Sequence, residues 1–155
     1  MLKVDIQQSA AGKIAVFHGQ IDETTNFASL IGPVAGSLRV NTKDVTRINS
    51  VGAKGWMQFF QPLRASGIKV TFEGCSPAIV EQINLVAPFL CGADLDSIYL
   101  PFFCESCSTE FSSLATIPLL KASHNDVPCP NCPKCGQRMI FDDIPEEYFA
   151  FLKRI

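Results

Sequence analysis

The sequence predicts an α/β domain followed by a small cysteine-rich unit built around a metal ion. Short β-like runs alternate with helical patterns up to about residue 100. Beyond that point the composition changes to paired cysteines, prolines and polar turns. A chain of 155 residues with 47% hydrophobic content can build one full core and a small appendage. We therefore expect a sheet of four to five strands with packed helices over residues 1–100, and a small zinc ribbon with a C-terminal helix over 101–155.

The expected strands are short runs in which apolar residues alternate with polar ones or follow one another directly. The turn Ala10-Ala11-Gly12 between the first two runs indicates a β-hairpin. The candidate strands span residues 2–7, 13–18, 37–40, 69–72 and 98–100.

Three helices are expected between these strands, over residues 23–31, 52–65 and 77–86. Ser76 is suited to cap the third helix and Pro77 to begin it, while Gly67 is a suitable stop after the second. The second helix carries apolar residues at i, i+3, i+4 and i+7, which predicts a stripe packed on the sheet. The residues of that stripe are Trp56, Phe59, Phe60 and Leu63.

The cysteines of the last third of the chain form two pairs with metal-ligand spacing. Cys104 and Cys107 form one CxxC pair, and Cys132 and Cys135 form the second. Two intervening residues allow both thiolates of a pair to reach one tetrahedral ion. We therefore expect a structural Zn²⁺ bound by these four cysteines, as in a zinc ribbon. Cys129 forms a rival pair with Cys132 and is the alternative ligand.

The other candidate metal ligands have simpler interpretations. His124 is either a further ligand or a solvated loop histidine. Cys75 and Cys91 are expected to be small apolar residues that pack in the interior. Gly136, directly after Cys135, is expected to let the second turn tighten.

Charge and sequence motifs argue against several classes of function. A net charge of -2 and a pI near 5.6 provide no general attraction for nucleic acid or anionic lipid. The first residues lack the pattern of a secretion signal, so we expect a cytoplasmic protein. The chain has neither a glycine-rich phosphate loop nor an evident nucleophile beside His18 or His124, and we expect no enzyme. Two alternatives remain: a thiol-disulfide redox protein that uses one CxxC pair, and a zinc-ribbon protein that binds nucleic acid.

Residues 1–100 carry a set of motifs in a recognisable order. They are GQID at 19–22, the run 38–45, INSVG at 48–52 directly before a helix, and GIKV at 67–70. This part of the chain resembles the STAS domain of anti-sigma factor antagonists. The resemblance implies a regulatory module that binds a serine kinase which is also an anti-sigma factor. It further implies that Ser50 is the phosphoacceptor and that Asp22, Asn49 and Gly52 belong to the partner-binding surface.

Two departures from the STAS pattern concern charge. Asn49 stands where the family has an aspartate before the serine, and Asn41 replaces the aspartate expected after the third strand. The alternative is that no kinase modifies Ser50. In that case we expect Ser50 to be a helix N-cap and Asp22 to be a solvated turn residue.

The end of the chain resembles the zinc-ribbon extension of bacterial STAS-like proteins. The resemblance rests on CPKCG at 132–136, Met139, FDD at 141–143 and EEYF at 146–149. After Pro145, the apolar residues follow a helical spacing and predict a helix that folds back on the ribbon or the α/β body. These residues are Ile144, Tyr148, Phe149 and Leu152.

Overall fold

The computed structural model describes residues 1–123 and 126–155, and its first part is a mixed five-stranded sheet with the strand order β1-β2-β3-β4-β5. The first two strands form the expected hairpin and are antiparallel, while the remaining neighbours pair in parallel. The α/β fold class is thereby confirmed. The strands are β1 (Lys3–Ser9), β2 (Gly12–Ile21), β3 (Ser37–Ile48), β4 (Lys69–Glu73) and β5 (Asp94–Leu95).

Three helices connect successive parallel strands, namely α1 (Phe27–Ile31), α2 (Ser50–Ala65) and α3 (Pro77–Leu85). A 3₁₀ helix, Ala87–Leu90, follows α3. Trp56 of α2 lies at the centre of the core, where its ring stacks on Phe89 at a centroid distance of 4.7 Å. Its indole N–H donates to the carbonyl oxygen of Phe89 at 3.0 Å, so the ring is both packed and hydrogen-bonded. The predicted stripe is confirmed as core at Trp56 and Phe60, whereas Phe59 and Leu63 are half-buried.

The opposite face of the sheet is mainly polar, and side chains of neighbouring strands contact one another across it. The Arg39 guanidinium lies 3.0 Å from a Glu73 carboxylate oxygen. Similarly, the His18 ring lies between Asp5, at 3.0 Å, and Asp44, at 3.1 Å. This cross-strand pairing explains how mainly parallel strands present one face to water.

A second, three-stranded antiparallel sheet has β6 (Ser97–Phe103) at its centre, between β7 (Glu110–Thr116) and β8 (Ile140–Phe141). The helix α4 (Ile117–Ser123) follows β7. The start of β6 bridges the segment after β4, because Cys75 N–H donates to Ser97 O and Tyr99 N–H donates to Cys75 O. β6 therefore runs across residue 100 and joins the two sheets directly.

The C-terminal segment packs against α3. It contains the short helix α5 (Pro145–Tyr148) and a 3₁₀ helix, Ala150–Arg154. The Asn84 side chain donates to the carbonyl oxygen of Tyr148 at 3.0 Å and accepts from the Phe151 N–H at 2.9 Å. Tyr148, Phe149 and Phe151 are buried at this contact. Hydrogen bonds and apolar burial thus both hold this C-terminal segment, the tail, against α3.

Several predicted boundaries are wrong, each for a local reason. The first helix begins at Phe27 rather than at residue 23, because Asn26 caps it through an oxygen that accepts from Ser29 N–H. β3 continues to Ile48, eight residues past the expected end, and β6 belongs to the second sheet. The prediction of a continuous C-terminal helix is also wrong, because α5 ends at Tyr148 and Ile144 is exposed.

Candidate functional site

The four cysteines of the two CxxC pairs come together at one point. Their sulfur atoms all lie within 4.8 Å of one another. The Sγ atoms of Cys104 and Cys135 are 3.4 Å apart, and those of Cys107 and Cys132 are 3.6 Å apart. Ligand sulfurs of a tetrahedral ion with bonds of about 2.3 Å are about 3.8 Å apart. The cluster can therefore hold one metal ion.

Both CxxC turns have the same backbone geometry. Cys104 N–H donates to Thr109 O at 2.9 Å, and the matching bond joins Cys132 N–H to Gln137 O at 2.7 Å. In each turn the residue after the second cysteine also bonds back to the first cysteine. Ser108 N–H donates to Cys104 O, and Gly136 N–H donates to Cys132 O. These two residues have φ values of 60° and 77°. Gly136 thus has the conformation expected from the sequence, while Ser108 adopts it without the freedom of a glycine.

The first cysteine of each turn is buried and the second is exposed. Backbone N–H groups of Cys135 and Lys134 face the Cys132 sulfur and lower its pKa to about 6. The Thr109 hydroxyl, 3.0 Å from the Cys107 sulfur, lowers the pKa of that thiol. Both contacts favour the thiolate, which is the form that binds metal.

The remaining thiols lie outside the cluster. Cys129, the alternative ligand, is half-buried and its sulfur faces the carbonyl oxygen of Val127 at 3.8 Å. The structure therefore groups Cys132 with Cys135. Burial raises the pKa of Cys75 to about 12 and that of Cys91 to about 11. His124, the other candidate ligand, lies outside the described residues.

The second candidate site surrounds the start of α2. The N-cap is Asn49, whose side-chain oxygen accepts from Gly52 N–H at 2.8 Å. The amide nitrogen of the same side chain donates to the Glu23 carboxylate at 2.9 Å. Ser50 is the first helical residue and is exposed, so its interpretation as the N-cap is wrong. Asn49 has that role because its position before the helix directs its oxygen to the free N–H groups.

Asp22 and Asn49 line one small cavity of about 190 Å³ between the ends of β2 and β3. One Asp22 carboxylate oxygen accepts hydrogen bonds from the N–H and the hydroxyl of Thr24, which lowers the pKa of Asp22. Gly52 is buried below this surface, and a Cβ there would lie 2.6 Å from Ile21 O. The structure thus brings together Asp22 and Asn49, while Ser50 and Gly52 follow Asn49 in the first turn of α2.

Sequence reasoning missed Glu23, which lies in the predicted first helix but belongs to the turn before it. Its contact with Asn49 joins residues that are 26 positions apart, and no local pattern indicates it. Thr109 was also missed, although it lies only two positions after Cys107, because its contact with the Cys107 sulfur depends on the conformation of the folded turn. The polar residues after Cys107 are the sequence signal for that turn.

No family model matches the chain, and no curated protein matches it. Within residues 1–123 and 126–155, the structure contains no helix with the length and apolar character needed to cross a membrane.

Proposed function

We propose that the chain is a non-enzymatic, cytoplasmic regulatory module that binds a protein partner, similar to the STAS domain of anti-sigma factor antagonists. The observation that carries this proposal is the position of Ser50. Its side chain is exposed at the first position of a capped helix of 16 residues, beside the loop that holds Asp22 and Glu23. A hydroxyl in that place is accessible to a kinase.

Phosphorylation of Ser50 would act through charge. Backbone N–H groups and the helix dipole at the start of α2 favour a phosphate on this residue. The phosphate adds a charge of about -1.5 to -2 to a surface that already carries the carboxylates of Asp22 and Glu23. A partner that docks there is repelled and must desolvate the added charge. In this proposal the partner is a serine kinase that resembles an anti-sigma factor, and phosphorylation releases it.

We further propose that the metal of the cysteine cluster is Zn²⁺ and that its role is structural. Four thiolates are a common ligand set of structural zinc sites, and they leave no position open for water or substrate. Cys104 directly follows β6, while the turn 132–135 precedes β8. A bound ion would hold these two parts of the ribbon together, and its binding energy would contribute to folding.

The first test is a native mass spectrum of the protein purified from its own cells under reducing conditions, followed by fragmentation. One bound zinc ion and a partly occupied phosphate on Ser50 are the expected results. Failure to find zinc would contradict the metal proposal. Failure to find phosphate on Ser50 across growth conditions would contradict the proposed switch.

The second test measures partner capture by crosslinking in a native lysate. Ser50→Ala should retain a captured kinase, whereas Ser50→Asp should lose it because of the added charge. Ser112→Asp, on an exposed residue of β7, is the matched control and should behave as wild type. Equal capture by Ser50→Asp and Ser112→Asp would contradict the assignment of this surface.

The two alternative functions give different results in simple assays. A redox enzyme requires catalytic reduction of insulin disulfides by the zinc-free chain. A nucleic-acid-binding protein requires an affinity for DNA or RNA that decreases steeply with salt. We expect neither result. Four cysteines occupied by zinc leave no free CxxC pair for redox catalysis, and a net charge of -2 provides no general attraction for nucleic acid.

A further inference from the structure

The sulfur atoms of the metal site differ in their access to water, and their contacts follow a pattern. Cys104 and Cys132 are buried, whereas Cys107 and Cys135 are exposed. The contacts of 3.4 and 3.6 Å each join an exposed sulfur of one turn to a buried sulfur of the other. Each exposed thiol therefore has a protected partner across the site.

We propose that the cluster is a peroxide-sensitive switch, in which oxidation forms the disulfides Cys104–Cys135 and Cys107–Cys132 and releases the metal. The metal release rests on the proposed zinc site. The choice of disulfide partners rests on the arrangement of the thiols alone.

The reaction begins at an exposed thiolate. Its sulfur attacks one oxygen of hydrogen peroxide, the O–O bond breaks, and a sulfenic acid and hydroxide form. The thiolate of the buried partner then attacks the sulfenic sulfur, which forms the S–S bond and expels a second hydroxide. Each disulfide thus consumes one peroxide, which is reduced to two water molecules once two protons are taken up. Loss of all four thiolates frees the ion, because disulfide sulfurs are poor ligands.

These disulfides would preserve the connection that the metal provides. Each would join the turn after β6 to the turn before β8, whose strands are paired at Phe102 and Phe103. Disulfides within a CxxC turn would leave the two turns unlinked. Oxidation in the proposed pattern therefore replaces the metal by two disulfides as the connection between the turns, and the ribbon stays folded.

Three other thiols serve as internal controls. Cys75 is fully buried, and Cys91 is half-buried with a raised pKa, so both should remain reduced. Cys129 lies only three positions before Cys132 but outside the cluster. If closeness in sequence decided which cysteines form disulfides, Cys129 would pair with Cys132. If the folded site decides, Cys129 stays reduced.

The test treats the full chain, purified with its metal, with increasing hydrogen peroxide. A chromophoric chelator measures zinc release, and mass spectrometry of peptides under non-reducing conditions identifies the disulfides. We expect release of one zinc for about two peroxides consumed. The expected disulfides are Cys104–Cys135 and Cys107–Cys132, both reversed by dithiothreitol. Cys129→Ser is the matched control and should give the same pattern.

Three results would overturn the proposal: disulfides within each turn, disulfides that contain Cys129, and sulfinic acids without any disulfide. A purified protein that contains no zinc contradicts the metal proposal but not the pairing, which the same peptide map then decides on the metal-free chain. A second variant, Cys135→Ser, should still form Cys107–Cys132. Pairing of Cys107 with Cys104 in that variant would also overturn the proposed partners.

Discussion

Replacement of Gly52 by alanine should destabilise the protein, although alanine is the better helix former. A Cβ at this position would lie 2.6 Å from Ile21 O and 2.8 Å from the carbonyl carbon of the same residue. The start of α2 must then move away from the end of β2. Overpacking of this kind costs about 1–3 kcal/mol. The movement also weakens the hydrogen bond from Asn49 N–H to Ile21 O, which contributes about 1 kcal/mol.

Gly55→Ala in the same helix is the matched control. Its Cβ would meet Phe27 Cε2 at 3.7 Å, which is an ordinary van der Waals contact. Both substitutions gain about 1 kcal/mol of helix propensity. The net expectation is a loss of about 2 kcal/mol for Gly52→Ala and a gain of up to about 1 kcal/mol for Gly55→Ala.

Thermal unfolding followed by circular dichroism, with the metal content held equal, measures both variants. Gly52→Ala should lower Tm by about 4–8 °C, and Gly55→Ala should raise it by up to about 4 °C. A rise in the Tm of Gly52→Ala equal to that of Gly55→Ala would refute the argument, because it would show that helix propensity outweighs the contact with Ile21.

Three further predictions concern the tail, the metal site and the loop before α1. Asn84→Ala removes both hydrogen bonds to the C-terminal segment, so it should cost about 1–3 kcal/mol and increase amide hydrogen exchange over residues 148–154. If the proposed zinc site is correct, Cys132→Ser should lose most of the metal, measured by elemental analysis, whereas Cys129→Ser should retain it. Thr24→Val removes the hydroxyl that lowers the pKa of Asp22, so that pKa should rise towards 3.8 in a carboxyl NMR titration. Because the folded pKa is lowered, the stability that Asp22 contributes is present above pH 3.8 and is lost as the pH falls through the folded value. In Thr24→Val this loss of stability at acidic pH should be smaller.

The sequence predicted those features that depend on near neighbours in the chain. The hairpin turn, the Ser76 cap and the buried pair Trp56 and Phe60 follow from short-range spacing and chemistry. The four-cysteine cluster was predictable for the same reason, since each CxxC turn fixes two ligands locally. Only the structure decides whether Cys129 or Cys132 belongs to the cluster.

The features that the sequence missed depend on distant residues. β7 and α4 lie between the two cysteine pairs, where polar residues and turns obscure the strand pattern. The 3.0 Å contact between Asn84 and Tyr148 joins residues 64 positions apart and sets the position of the tail. This anchoring also limits α5 to a short helix, because Phe149 and Phe151 must both turn into the interior.

The contact of Asn49 with Glu23 gives a physical reason for an asparagine at position 49. An aspartate at position 49 could cap α2 equally well, but it could not donate to the Glu23 carboxylate. It would instead place a second negative charge about 3 Å from the first. Asparagine caps the helix with its oxygen and binds Glu23 with its nitrogen. Asn49 thereby holds the Glu23 carboxylate at 2.9 Å, next to the start of α2. In the proposed function, the surface around Ser50 therefore carries negative charge from Asp22 and Glu23 although position 49 is neutral.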